Sequence, residues 1–393
     1  MTTQAAEIDK TKEEFNTDQV LTIVGGHFVH DTYSGFVAPL LPLIIEKLSL
    51  TLTLAGTLTA FMQLPGLLNP FIGFLADKVS LRYFVILAPA ATATLISALG
   101  FAPNYFSLAL IMLLVGVSSA AFHAPAPAMI GRISGNKIGK GMSYFMAGGE
   151  LARSVGPIIA VWAVGLWGLD GIYRLMFIGW GSSLLLYWRL RDVSGRTSSP
   201  GSLRSVTPKL LSFFLPLTII VFFRMFLAVS LTTYLPTYLN LFGYTISTAG
   251  IYLAVLEFSG VGGALFSGTI SDRLGRKKLL LFAFAASSLL TLVFLNVSGY
   301  WNIPLLVAVG FTALSTGPLF LALVQDQLPK NRAVGNGLYL AISFVLRSLA
   351  MVLVGAAGDL WGLETAFFWS AIISLLAIPM LYFLPKSQAG MLS

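Results

Sequence analysis

Two imidazoles and a carboxylate sit in the apolar stretch GGHFVHDTYSGFVAPLLPLI, residues 25–44: His27, His30 and Asp31. His27 and Asp31 are four apart, and His27 and His30 three apart, so on a helix the three share one face. An imidazole titrates at about pH 6.5 when unperturbed. A neighbouring carboxylate raises its proton affinity, and removal from water lowers it. A cavity that opens and closes around this trio would therefore take up and release a proton. Hydrogen bonding of the segment to neighbouring helices is the plainer reading. A metal site is a third reading, but the spacing does not demand one and none is expected.

Other ionisable side chains interrupt apolar stretches further along: His123, Glu150, Arg153, Arg224, Glu257 and Arg347. A charge at the centre of a bilayer costs about 2.5–3.5 kcal/mol on insertion scales, so such residues are functional candidates. Asp31, Glu150 and Glu257 stand against Arg153, Arg224 and Arg347, which suggests mutual pairing; Glu150 and Arg153, three apart, can pair within one helix. Proton coupling is expected at His27, His30, Asp31, Glu150 and Glu257. Substrate contact is expected at His123, Arg153, Arg224 and Arg347, because guanidinium groups grip carboxylate or phosphonate with paired donors. In AAFHAPAPAMIG the prolines around His123 free backbone carbonyls that could accept its N–H.

What must hold these groups is a membrane-spanning scaffold. Of the 393 residues, 56% are hydrophobic and 10% charged, against about 25% charged in soluble domains; mean hydropathy is +0.84. With no cysteine, disulfides, thiolate metal sites and cysteine nucleophiles are excluded. A hydrocarbon core of about 30 Å takes about 20 apolar helical residues. That ruler gives twelve spans: 19–46, 52–76, 82–102, 105–131, 139–167, 172–190, 210–241, 247–271, 277–298, 302–325, 334–360 and 365–384. The expected organisation is a cytosolic tail (1–18), a six-helix bundle (19–190), a polar linker (191–209), a second six-helix bundle (210–385) and a short cytosolic tail (386–393).

With both termini inside, nineteen of the twenty-four lysines and arginines fall on the cytoplasmic side, a strong positive-inside asymmetry. They are scattered over connecting loops, so the net charge of +8 does not indicate a nucleic-acid surface. The halves repeat. GFLADKVSLRYFV (73–85) aligns with GTISDRLGRKKLL (268–280), and LARSVGPIIAVWAVGLWGLD (151–170) with VLRSLAMVLVGAAGDLWGLE (345–364), at offsets of 195 and 194. Two parallel copies of six spans, joined by a cytoplasmic loop, suit a transporter that rocks two bundles about a midplane site. Asp77 with Lys78 and Arg82, and Asp272 with Arg273, Arg276 and Lys277, end spans at the cytoplasmic face in both copies. They are expected to latch that face shut in one state, with Asp326 joining the second cluster.

GTISDRLGRKK closely resembles the cytoplasmic signature of the major facilitator superfamily, and the resemblance extends over essentially the whole chain. HFVHD (27–31), SSAAFHAPAP (118–127) and GGELARSVGP (148–157) further resemble the fosmidomycin-resistance group of drug exporters, with His27, Asp31, His123 and Gly156–Pro157 on matching positions. The resemblance implies an all-α fold of two pseudo-symmetric six-helix bundles in the bacterial inner membrane. It also implies drug/proton antiport by alternating access, exporting a small anionic or amphiphilic, fosmidomycin-like compound.

No cofactor is expected beyond the proton gradient. GNKIGKG (135–141) has the wrong spacing for a phosphate-binding loop, and no nucleophile motif accompanies the histidines, so an enzyme is not expected. The partners are a small molecule, protons and membrane lipid, and the chain is expected to be a monomer. Symport of an organic anion is the alternative function; a receptor without transport is a remote one.

Overall fold

The computed structural model describes residues 15–69, 71–72, 75, 79–135, 137–191, 193, 209–328 and 332–385. Asp77, Lys78, most of the linker and most of both tails lie outside the described residues. Among these residues the chain is helical, with no strand. In order the helices are α1 (Thr17–Ser34), α2 (Val37–Leu48), α3 (Leu52–Gln63), α4 (Arg82–Ser97), α5 (Tyr105–His123), α6 (Ala126–Ile133), α7 (Ile138–Trp167), α8 (Met176–Leu190), α9 (Leu215–Val229), α10 (Leu235–Leu241), α11 (Ile246–Leu274), α12 (Arg276–Leu295), α13 (Asn302–Leu314), α14 (Thr316–Gln327), α15 (Arg332–Trp361) and α16 (Leu363–Leu375).

Among the described residues, ten uninterrupted or kinked helical segments are long and apolar enough to cross a membrane. The other two expected spans are α3, which runs on as a 3₁₀ turn over Leu64–Leu68, and α8, which follows a 3₁₀ turn over Asp170–Leu175. Large apolar side chains face outward, among them Phe106, Trp188, Leu211, Phe258 and Phe282. A soluble surface would hide them, whereas a lipid environment accepts them.

Four of the expected spans break next to prolines whose chemistry explains the break. A proline has no N–H to give to the carbonyl four residues earlier. Pro39 leaves the carbonyl of Gly35 free, where α1 ends; Pro125 and Pro127 free those of Ala121 and His123, where α5 ends. Pro318 does the same for Leu314 at the end of α13, and Pro236 for Thr232 inside a π-turn over Ser230–Tyr234 between α9 and α10. Irregular backbone at membrane depth is tolerated where it lines a cavity or is buried in protein. These breaks carry or adjoin Asp31, His123, Thr232 and Thr316.

Two seams join the first-half helices to the second-half helices. At one, α3 crosses α15 so closely that a Cβ on Gly56 would collide with the carbonyl of Met351, and one on Gly355 with the carbonyl of Leu52. At the other, a Cβ on Gly250 of α11 would strike Val161 of α7. Gly56 and Gly250 are equivalent under the 194-residue offset, so both copies spend a glycine on the same contact. The first seam is also tied by polar groups. Leu52 N and Thr53 N donate to the Asp359 carboxylate at 2.7 and 2.8 Å, and the Thr53 hydroxyl joins them. Tyr234 donates its hydroxyl to the carbonyls of Met351 (2.7 Å) and Leu52 (3.2 Å). Asp359 thus caps a helix of the other half, where the free N–H groups and the helix dipole favour an anion. Leu41 and Ala55 of the first half are buried in the apolar core built by α9 to α16.

Candidate functional site

Asp31 is the hub of the first-half site. It lies one turn before the end of α1 and is 7% exposed. One carboxylate oxygen is 3.2 Å from His27 Nε2; the other is 3.3 Å from His123 Nε2 and 4.0 Å from His30 Nε2. His27 Nε2 and His123 Nε2 are themselves 3.2 Å apart. The backbone fixes the opposite ring atoms. His27 Nδ1 is 2.8 Å from the carbonyl of Phe145 on α7, and His123 Nδ1 is 3.0 Å from the carbonyl of Ser119, one turn back on α5. Each Nδ1 must carry the hydrogen to donate it. In the neutral ring this leaves Nε2 as a bare acceptor.

Aromatic rings hold the imidazoles in place. His27 stacks on Phe145 with centroids 4.0 Å apart, and the fully buried His30 stacks on Phe122 at 4.8 Å. Gly149 of α7 makes room, since a Cβ there would lie 2.6 Å from His27 Cε1 and 3.2 Å from an Asp31 oxygen. The expected trio on one face of α1 is therefore present, and His123 joins it. His30 is the outlying member: neither of its ring nitrogens has a hydrogen-bond partner among the described residues.

Arg153 occupies the middle of α7. It pairs with Glu150 on its own helix and reaches Glu257 on α11 at 3.9 Å, so the pair spans the two halves of the chain. The Arg153 side chain is 47% accessible although it lies mid-helix, whereas Glu257 is 8% exposed. An accessible guanidinium paired with a buried carboxylate suits the wall of a crevice between the halves better than contact with lipid. Arg347 interacts electrostatically with Glu257, Arg153 and Arg224, and Arg153 with Asp31 and His123, so the charges of both halves share one field.

The expected pairing of three carboxylates with three arginines holds only for Arg153. Asp31 is held by histidines. Arg224 donates through Nε to the Thr316 hydroxyl at the head of α14 and lies over the Phe320 ring at 5.8 Å. Arg347 donates to Thr232 at 2.8 Å. Among the described residues, neither arginine has a carboxylate within salt-bridge distance. Both guanidiniums are only partly buried and keep donors for an incoming anion.

The second latch cluster is centred on Arg276, and Asp326 joins it. Arg276 contacts Asp272 at 2.5 Å, Asp326 at 3.4 Å and the Ser271 hydroxyl, so the cluster ties α11, α12 and α14 together within the second half. Arg273 is exposed. Arg82 lies over the Tyr83 ring at 5.0 Å; its expected partners Asp77 and Lys78 are outside the described residues. A further tie between the halves, at the α3–α15 seam, comes from Asp359, which sequence reasoning passed over. Its signal was a carboxylate inside the repeat VLRSLAMVLVGAAGDLWGLE, with no partner nearby in sequence; Leu52 and Thr53 are more than 300 residues away.

Residues 23–351 match the family model described as the Major Facilitator Superfamily. The fosmidomycin resistance protein of Escherichia coli (strain K12) is 25% identical, over 98% of this chain and 96% of that protein. A multi-drug resistance efflux pump of Streptococcus pneumoniae is 26% identical, over 78% of this chain and 80% of the pump. Among solved structures, a bacterial homologue of the human lysosomal transporter Spinster, in an inward-facing and unoccupied conformation, superposes with a TM-score of 0.80 at 15% identity, covering 94% of this chain and 96% of that one. A D-xylose–proton symporter superposes at 0.72 with 14% identity, covering 94% and 98%. The broken, duplicated helices around a charged crevice and the match over most of the chain lead to one conclusion: this protein belongs to the Major Facilitator Superfamily, and is a multi-pass membrane transporter of small molecules rather than an enzyme.

Proposed function

We propose that the protein is a proton-coupled antiporter that exports a small amphiphilic compound with an anionic group, working by alternating access in the bacterial inner membrane with both termini in the cytoplasm. The observation that carries this reading is Arg153 on α7 facing Glu257 on α11 across the two halves, with Arg153 open to the crevice. Ion pairs that bridge two moving bodies are where binding can bias an alternating equilibrium, because a ligand shifts it only by its differential affinity for the two states.

The charges divide the work. Arg224 and Arg347, held by hydroxyls rather than carboxylates, take the anionic group with charge-assisted hydrogen bonds. A hydrogen-bond donor on the substrate takes the Glu257 carboxylate and displaces its proton, so substrate and proton exclude each other. The relatives named for fosmidomycin resistance and multi-drug efflux support export.

One observation favours a second reading. An anion that took Arg153 itself would strip Glu257 of its cation and raise its proton affinity, so anion and proton would travel together as in symport. Proteoliposomes with an imposed pH gradient separate the two. With fosmidomycin as probe, antiport moves the drug against the direction of proton flow, and Glu257→Gln retains drug exchange while losing the response to the gradient. Drug and proton moving in the same direction would establish symport instead. No drug movement in either direction would remove this substrate class.

A further inference from the structure

Two imidazole Nε2 atoms and a carboxylate converge at the junction of α1 and α5. The Nε2 atoms of His27 and His123 are 3.2 Å apart, and each is 3.2–3.3 Å from an oxygen of Asp31. Both Nδ1 positions are committed to backbone carbonyls, those of Phe145 and Ser119, so in the neutral rings both Nε2 lone pairs point inward at the carboxylate. Mutual repulsion of three acceptors is relieved by a proton on one of the rings or by a metal cation between them.

Size and ligand type narrow the choice. With bonds of about 2.0–2.1 Å to nitrogen and oxygen, tetrahedral coordination places ligand atoms about 3.3 Å apart. The two nitrogens are 3.2 Å apart, close to that edge, and each lies 3.2–3.3 Å from a different Asp31 oxygen, so a turn of the carboxylate brings one oxygen toward both; one donor atom from each residue already falls within 4.8 Å of the others. Hard cations such as Ca²⁺ and Mg²⁺ take mainly oxygen ligands, whereas imidazole with one carboxylate suits Zn²⁺ and its neighbours among the divalent transition metals. The surroundings have the character of a built site. Each imidazole is oriented by an N–H to carbonyl hydrogen bond, the usual outer partner of a metal-bound histidine. The ring of His27 is clamped by Phe145, and Gly149 leaves space that a methyl group would fill. The His123 side chain is 32% accessible, which opens a path to the fourth coordination position.

We propose that His27, Asp31 and His123 form a binding site for a divalent transition metal of the zinc class, with its fourth position facing the crevice, and that the bound ion pins α1 to α5 and inhibits transport. The site is independent of the proton step at Glu257, so either can stand without the other.

The test uses the untagged full-length protein in detergent, stripped with a chelator and titrated with Zn²⁺ by calorimetry and with Co²⁺ by visible absorption. One Zn²⁺ per chain, an intense tetrahedral Co²⁺ band and a Zn²⁺-dependent rise in Tm are expected. His123→Gln and Asp31→Asn should each weaken Zn²⁺ binding by more than about 100-fold, because even outer-shell partners are worth about 10–100-fold; His30→Gln should keep it. Absence of the Co²⁺ band and the Tm rise in the parent protein overturns the proposal whether or not the variants fold. Binding that survives His123→Gln, or that His30→Gln abolishes equally, overturns the ligand assignment. Transport in proteoliposomes should fall on adding Zn²⁺ and recover with chelator; unchanged transport at saturating Zn²⁺ overturns the inhibitory role. Loss of proton-driven transport in excess chelator would count against the proton reading instead.

Discussion

The two halves of this transporter place opposite chemistry at the same address. Under the 194-residue repeat His30 of α1 corresponds to Arg224 of α9, and His123 to Gly317, next to Thr316. In the first half the contact between these spans is a carboxylate gripped by two imidazoles, Asp31 with His27 and His123. In the second half it is a guanidinium donating to a hydroxyl, Arg224 to Thr316. Each site has an aromatic ring against its polar group: Phe122 against His30, Phe320 against Arg224. Duplication supplied two equivalent helix breaks at membrane depth. Side-chain choice then made one a carboxylate between imidazoles and the other a guanidinium held by a hydroxyl. A symmetric scaffold thereby gains an electrostatic direction across its central crevice.

The largest effect should come from removing the anion of the first half. Asp31→Asn leaves two imidazoles facing an amide in a buried site, and each hydrogen bond to a charged group is worth about 1.5–3 kcal/mol. Inhibition of transport by Zn²⁺ should disappear while the protein remains monodisperse in detergent; inhibition that persists would show that the first-half site does not hold the ion. Next is the bridge between halves. Glu257→Gln should abolish the response to a pH gradient and leave counterflow of labelled substrate within a few-fold of the parent, because the amide cannot exchange the proton.

Arg224→Ala and Arg347→Ala should follow, each weakening binding of an anionic substrate by about 10–100-fold, the range expected for losing one charge-assisted contact. A neutral analogue should lose much less. Equal losses for both compounds would mean that the arginines act through folding and not through charge. The smallest effect should be at the seam. Asp359→Ala removes a helix cap worth about 1 kcal/mol, which shifts the opening of that seam by about 5-fold. Spin-label distances between α3 and α15 would report it as a larger population of the separated state.

Much of the first-half site was legible because its members lie within one helical turn. His27, His30 and Asp31 are intrahelical neighbours, as are Glu150 and Arg153, so spacing alone placed each set on one face. His123 was marked by its prolines, but its meeting with His27 lies 96 residues away in sequence and depends on how α5 packs against α1. The arginines were recognised by their depth, yet their partners were misjudged. Counting three carboxylates against three cations presumed that charges find charges, whereas Thr232 and Thr316, unremarkable in a greasy sequence, sit at the helix breaks within reach of Arg347 and Arg224. The Asp359 cap was invisible for a related reason. A carboxylate near a helix end is ordinary, and only the crossing of α3 and α15 reveals that it serves a helix of the other half.

The sequence by itself determined the membrane-spanning character, the duplicated helical scaffold and the superfamily, and it singled out the candidate charges. These follow from hydropathy, period and repeat, which are local or additive along the chain. Only the tertiary structure decided which charges meet. It brought two imidazoles and a carboxylate together at the α1–α5 junction, left Arg224 and Arg347 bound to hydroxyls, and set Arg153 against Glu257 across the seam. Those outcomes depend on helix crossings, where a few ångströms separate an ion pair from two isolated charges. No pattern within a single helix encodes that distance.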